Sequence, residues 1–208
     1  MLRFMNAANA VSLLGVCSAV AAALLAANGH VAYALAALVG SGLCDVFDGF
    51  VARKLTRTDE QRTFGQRLDT VVDACAFGIT PVLVLHAAGL QSPPELALLA
   101  LFACCAVWRL AYFDTVGLSE EEGSGARYYT GVPTTFASLA LPLAFLAGFH
   151  SAWSLRIAAV AAALVLAVGM VSPVKVRKPS GLAYPVLTLL ALGLAVTYLA
   201  LGARYLPA

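Results

Sequence analysis

The sequence predicts an all-α polytopic membrane protein, a bundle of six to seven transmembrane helices preceded by an N-terminal segment suited to lie along the membrane surface. Three observations predict it. Of 208 residues, 61% are hydrophobic and only 12% charged, against roughly 25% charged in soluble domains. Apolar runs near the ~20 residues that cross a hydrocarbon core recur along the whole chain. Charged residues collect in alternate connections between those runs. Mean hydropathy is +0.87, which leaves no stretch for a separate soluble domain, so residues 1–208 read as one membrane domain.

Seven segments qualify as spans: 11–28, 31–53, 66–89, 95–114, 131–149, 153–171 and 182–202. The lead-in MLRFMNAANA mixes Phe4 and Met5 with Arg3, Asn6 and Asn9, an interfacial pattern. The apolar run behind Arg3 continues without a cleavage region, so no removed signal peptide is expected. Arg3 precedes the first span, and Arg53, Lys54, Arg57, Arg62 and Arg67 follow the second. Arg127 follows the fourth, and Lys175, Arg177 and Lys178 follow the sixth. The other connections, at 28–30, 89–95 and 149–154, hold no Lys or Arg; Arg156 and Arg204 alone fall on that side. The positive-inside rule then places the N-terminus in the cytoplasm of an integral cell-membrane protein and, with seven spans, the C-terminus outside.

Small residues around Gly40 and Gly42 suit close helix packing. Cys17, Cys44, Cys75, Cys104 and Cys105 lie in apolar segments without CxxC spacing and read as small buried hydrophobes. His30, His86 and His150 fall toward the outer face and take no catalytic role. Trp108, Trp153, Tyr128, Tyr129, Tyr184 and Tyr198 lie near predicted helix ends, where aromatic side chains anchor at the interface.

Four aspartates break the apolar pattern. Asp45 and Asp48 are three residues apart on the second span, and Asp69 and Asp73 four apart on the third, so each pair shares a helix face. A lone carboxylate in such a helix costs several kcal/mol, and four together repel one another unless cations lie between them. A loop of about a dozen residues makes the two spans an antiparallel hairpin with the carboxylates at one level. Oxygen-only ligands suit Mg²⁺ or Mn²⁺. Two such ions about 4 Å apart clamp the attacking and leaving oxygens of a phosphoryl displacement. Gly49 and Gly65 leave room for a nucleotide near the backbone, and Arg53 stands within reach of its phosphates or base. The site opens to the cytoplasm.

The pattern D-x-x-D-G-x-x-A-R followed by G-x-x-x-D-x-x-x-D resembles the signature of the CDP-alcohol phosphotransferase family. Asp45, Asp48, Gly49, Ala52, Arg53, Gly65, Asp69 and Asp73 match every fixed position, with eleven residues between Arg53 and Gly65. The resemblance implies an enzyme that splits the pyrophosphate of a CDP-linked lipid or alcohol, releases CMP and joins the phosphoryl group to an acceptor hydroxyl. It implies two divalent ions, Mg²⁺ or Mn²⁺, held by Asp45, Asp48, Asp69 and Asp73. Asp73 would serve as general base with Asp69 beside it. Gly49, Ala52, Arg53 and Gly65 would line the CDP pocket, and the protein would be a homodimer among membrane lipids. No nucleic-acid partner is expected.

Further stretches resemble the phosphatidylserine synthase branch: FGITP at 77–81, WRLAYFD at 108–114, YTGVPTT at 129–135 and MVSPVKVRKPS at 170–180. They imply CDP-diacylglycerol as donor and L-serine as the small water-soluble alcohol acceptor. Tyr112, Asp114 and Thr135 depart from that branch, as does the acidic run 120–122. An inositol phosphate, glycerol phosphate or amino alcohol therefore stays open as acceptor. Arg109 offers a bidentate grip on an acceptor carboxylate or phosphate. Arg127, Lys175, Arg177 and Lys178 are further cations for acceptor or lipid pyrophosphate.

Outside enzymes, intramembrane carboxylates also mark ion pathways, so a divalent-ion transporter is the rival reading. Its acidic groups belong near the bilayer centre, whereas here the opposite half of each helix is uninterrupted apolar sequence. A membrane prenyltransferase also uses paired aspartate motifs, but without the DG-x-x-AR context.

Overall fold

The fold is that of a computed structural model and describes residues 2–120, 127–148, 150–179 and 181–204. Beyond the backbone of Glu120, the acidic run 120–122 lies outside them, as does the Arg204 side chain. Seven long helices make up the described chain: α1 (Ala7–Ala27), α2 (Val31–Lys54), α3 (Asp59–Ala87), α4 (Pro93–Val116), α5 (Thr134–Ala147), α6 (Ala152–Val171) and α7 (Ala183–Arg204). All except α5 are long and apolar enough to cross a membrane, and the protein is an integral membrane protein.

α1 begins where Asn6 caps it, its side chain accepting from the Asn9 amide at 3.0 Å. The lead-in folds back instead of trailing. Asn9 Nδ2 donates to the Phe4 carbonyl at 2.9 Å, and Phe4 stacks on Phe64 of α3 with ring centroids 4.7 Å apart. The α1–α2 hairpin packs through small residues. Ser18 Oγ donates to the Ala37 carbonyl at 2.7 Å and Ser41 Oγ to the Gly15 carbonyl at 2.9 Å. A Cβ at Gly42 would collide with Ser138 of α5, so the glycine sets how closely those helices approach.

α3 departs from the sequence expectation at its start. It begins at Asp59, where Thr58 and Gln61 form a capping box, not near residue 66. The connection from α2 therefore shrinks from a dozen residues to 55–58. Mid-helix, Ala74–Ile79 widens into a π-helical turn directly behind Asp73 and upstream of Pro81, which has no N–H to offer the Phe77 carbonyl.

The segment 131–149, expected as a full span, starts late. Gly131 takes φ 75°, its N–H donates to the Val174 carbonyl at 2.8 Å, and Val132 N–H to Gly169 O at 2.9 Å. These bonds commit the segment's first residues to a turn docked on α6. A short sheet, absent from the all-helical expectation, covers that end of the bundle. β1 (Ser119–Glu120), β2 (Arg127–Thr130) and β3 (Lys175–Arg177) are antiparallel in the order β1-β2-β3.

At the opposite end Glu95 completes a capping box with Ser92 and receives Arg156 bidentately at 2.6 and 2.8 Å, joining α4 to α6. His86 and His150 are exposed there. Tyr198, expected as an interfacial anchor, is buried instead and donates to the Pro142 carbonyl at 2.6 Å, tying α7 to α5. Trp108 and Trp153 stand 72% and 71% exposed.

Candidate metal centre and substrate cavity

Asp45 and Asp48 lie on the last two turns but one of α2, and Asp69 and Asp73 on the middle of α3, just before the π turn. The hairpin brings one carboxylate oxygen each from Asp45, Asp48 and Asp69 within 4.8 Å of one another. Asp73 lies against Asp45, and its Oδ1 is buried without a hydrogen-bond partner. Asp48 is held from a third helix, where the buried Ser12 hydroxyl of α1 donates to Asp48 Oδ2 at 2.5 Å. An all-oxygen set with an orphaned buried oxygen fits a hard divalent cation that draws the carboxylates together.

The cluster forms one wall of a cavity of about 330 Å³. Gly49 and Arg53, two of the residues expected at the nucleotide, line the same wall. Gly49 has nothing within 4 Å of where a Cβ would stand, which leaves the backbone open to a ligand. Ala52 is half-buried one turn beyond Asp48 and is not among the lining residues. Gly65 sits behind the cluster, its missing Cβ facing Arg57 Nη1 and Asn9 Oδ1, both at 3.3 Å. Tyr129, Thr135, Ser138, Lys178, Tyr184 and Thr188 line the same cavity. Tyr129 and Tyr184 thus line the cavity, which the interfacial reading missed. The Tyr129 phenol is pushed up by burial and its neighbours, chiefly Tyr184, and stays protonated as a hydrogen-bond donor.

Arg109 is buried on α4 within the field of Asp45 and Asp73, its guanidinium over Phe113 at 4.9 Å and Tyr129 at 5.5 Å. Its Nε and Nη2 have no hydrogen-bond partner. It borders a second cavity of about 250 Å³, with Tyr112, Thr130 and Ser172. The remaining expected cations, Arg127, Lys175 and Arg177, are exposed, and none lines either cavity. Asp114 pairs with Arg67, joining α4 to α3 beside the cluster.

Ser12 was not singled out from sequence, although a hydroxyl one turn after Asn9 in an otherwise apolar helix was a readable signal. Tyr184 had none, because its position depends on how α7 meets α2.

A family model described as CDP-alcohol phosphatidyltransferase matches residues 5–172. The chain is 29% identical over 208 aligned positions to the CDP-diacylglycerol–serine O-phosphatidyltransferase of Mycobacterium tuberculosis, covering 92% of this chain and 70% of that protein. It is 27% identical to the archaetidylserine synthase of Methanothermobacter thermautotrophicus, over 75% of this chain and 64% of the relative. With the CDP-diacylglycerol–serine O-phosphatidyltransferase of Saccharomyces cerevisiae it shares 35% over 50% of this chain and 38% of the relative. The matched region contains both aspartate pairs and all the cavity's α2 wall, and the chain belongs to the CDP-alcohol phosphatidyltransferase family.

Proposed function

We propose that this protein transfers a phosphatidyl group from CDP-diacylglycerol to L-serine, forming phosphatidylserine and releasing CMP in phospholipid biosynthesis. The observation that carries it is the convergence of Asp45, Asp48 and Asp69 beside Gly49 and Arg53 in one cavity, within a chain whose relatives carry serine-transfer names. Asp45, Asp48, Asp69 and Asp73 would hold two divalent ions, Mg²⁺ or Mn²⁺. Bound there, such ions neutralise the diphosphate and stabilise charge on the attacking and leaving oxygens.

The chain's own groups do the rest. Arg53 and the open backbone at Gly49 hold the cytidine diphosphate, with Ala52 and Gly65 keeping that wall and its backing narrow. Arg109 directs its two unpartnered N–H groups at the serine carboxylate, a charge-assisted pair in a water-poor site. The serine hydroxyl oxygen attacks the phosphatidyl phosphorus, the bond to the bridging oxygen breaks, and CMP leaves with that oxygen. Asp73 takes the hydroxyl proton. Arg127, Lys175 and Arg177, exposed around the mouth, attract anionic substrates and lipid headgroups.

The basic residues crowd the end of the bundle that carries the cavity, which supports a cytoplasmic site and a cytoplasmic N-terminus. The acyl chains stay in the bilayer while serine arrives from water, and the enzyme works as a homodimer. The test is CMP release by purified protein with CDP-diacylglycerol and Mn²⁺ or Mg²⁺. Serine-dependent release is expected. Release with inositol phosphate, glycerol phosphate or an amino alcohol alone would move the acceptor, and metal transport without CMP release would overturn the enzyme reading.

A further inference from the structure

The loop sheet sorts the basic residues before α7 by register. Residues directly opposite in an antiparallel pair share a face, and neighbours along a strand alternate. Tyr129 pairs with Val176 and lines the aspartate cavity, whereas Thr130 pairs with Lys175 and borders the second cavity. The face that carries Tyr129 and Val176 is therefore also the face of Lys178. The Lys178 amide extends the ladder one step past β3, donating to the Arg127 carbonyl at 2.8 Å. Lys175 and Arg177 are exposed, and Lys178 is half-buried with its side chain lining the aspartate cavity.

The surroundings of Lys178 need an anion. Its ammonium lies 6.0 Å from the centre of the Tyr129 ring, and among the described residues no carboxylate pairs with it. Burial, then Arg127, then Arg53 push its pKa below the ordinary lysine range, so it stands partly desolvated in the field of two further cations. The cavity thus carries both signs, with the aspartates and Arg53 on the α2 wall and Lys178, within the field of Arg53, on the part that the sheet supplies. A group bridging the two must carry several negative charges. A carboxylate offers one, whereas a diphosphate offers enough for both a metal cluster and the cations.

We propose that Lys178 is a ligand of the nucleotide donor's diphosphate, held in the aspartate cavity by the β2–β3 register. This rests on the proposed CDP-linked donor. It separates the two substrates: Lys178 serves the donor and Arg109, bordering the other cavity, serves the acceptor.

The test uses full-length wild type, K178A, K178Q and K178R in detergent with Mn²⁺. Equilibrium binding of CDP is measured by calorimetry, and CMP release is measured with CDP-diacylglycerol and serine varied in turn. K178A and K178Q are expected to bind CDP about tenfold more weakly, the loss of one charge-assisted hydrogen bond. Their KM for CDP-diacylglycerol rises similarly while the KM for serine holds, and K178R stays near wild type. The glutamine keeps the side chain's bulk, so weak binding by K178Q in a monodisperse sample is not a packing defect. CDP binding equal to wild type in both neutral variants, or a rise in the serine KM alone, would overturn the assignment. A wild type that neither binds CDP nor releases CMP would overturn the donor reading, and the assignment with it.

Discussion

Ser12 Oγ stands 2.5 Å from Asp48 Oδ2, a contact between the first helix and a carboxylate thirty-six residues later in the chain. The same hydroxyl lies 3.3 Å from the Ala8 carbonyl, a second acceptor, so its one proton goes chiefly to the nearer carboxylate. α1 contributes no carboxylate to the cluster, yet it determines where one of the oxygens points.

Removing that hydroxyl should weaken metal binding without unfolding the hairpin. Ser12→Ala is expected to raise the half-saturating Mn²⁺ concentration about tenfold, as loss of an outer partner to a metal ligand commonly does. Ser12→Thr should restore it. Metal titration of CMP release, with thermal unfolding as the control, checks this; an unchanged metal dependence would make the contact purely a packing feature.

Asp69→Asn leaves the fold's shape but removes one anionic oxygen from the three-carboxylate cluster. CMP release should fall below detection while the protein still inserts and purifies normally. Substantial remaining turnover would contradict the metal-centre assignment.

Arg109 is 5% exposed with two N–H groups unpartnered. Arg109→Lys keeps the charge but not the planar fork. The KM for serine should rise by about tenfold to a hundredfold, the worth of a charge-assisted hydrogen bond of ~1.5–3 kcal/mol, with the KM for CDP-diacylglycerol little changed. Steady-state kinetics with each substrate varied separates this from a general loss of activity.

Tyr198→Phe removes the hydroxyl that reaches the Pro142 carbonyl and little else. Stability in detergent should drop by about 1 kcal/mol, with CMP release intact, because the bond lies on the far side of the bundle from the aspartates. A loss of turnover instead would mean that the α5–α7 contact sets the cavity's shape.

The helices and the aspartate hairpin were legible because both rest on local patterns: long apolar runs, and carboxylates at three- and four-residue spacing. What stayed hidden depends on contacts between distant segments. The start of α3 at Asp59 was obscured because its first turns are polar, and a search for apolar runs begins only where they end. The late start of α5 follows from Gly131 bonding to Val174 beyond α6 and Val132 to Gly169 in its last turn, which no window around 131 contains. The sheet was invisible for the same reason. Its strands are two to four residues long, and β2 and β3 pair across an entire helical hairpin. Tyr129 and Tyr184 illustrate the consequence: helix-end aromatics suggest interfacial anchors, and only the packing of the sheet against α7 turns them into cavity walls.

The length of α3 fixes the depth at which chemistry can occur. Its 29 residues extend about 44 Å at 1.5 Å per residue, against a hydrocarbon layer of ~30 Å. The surplus of about 14 Å is matched by the polar turns that run from Asp59 toward Asp69, about 15 Å along the same axis. With the apolar part of α3 seated in the hydrocarbon, the carboxylates would stand at the level of the phospholipid phosphates. A lipid substrate would reach them by sideways diffusion alone, with no vertical displacement of its tails, and its product would be released already seated in the leaflet.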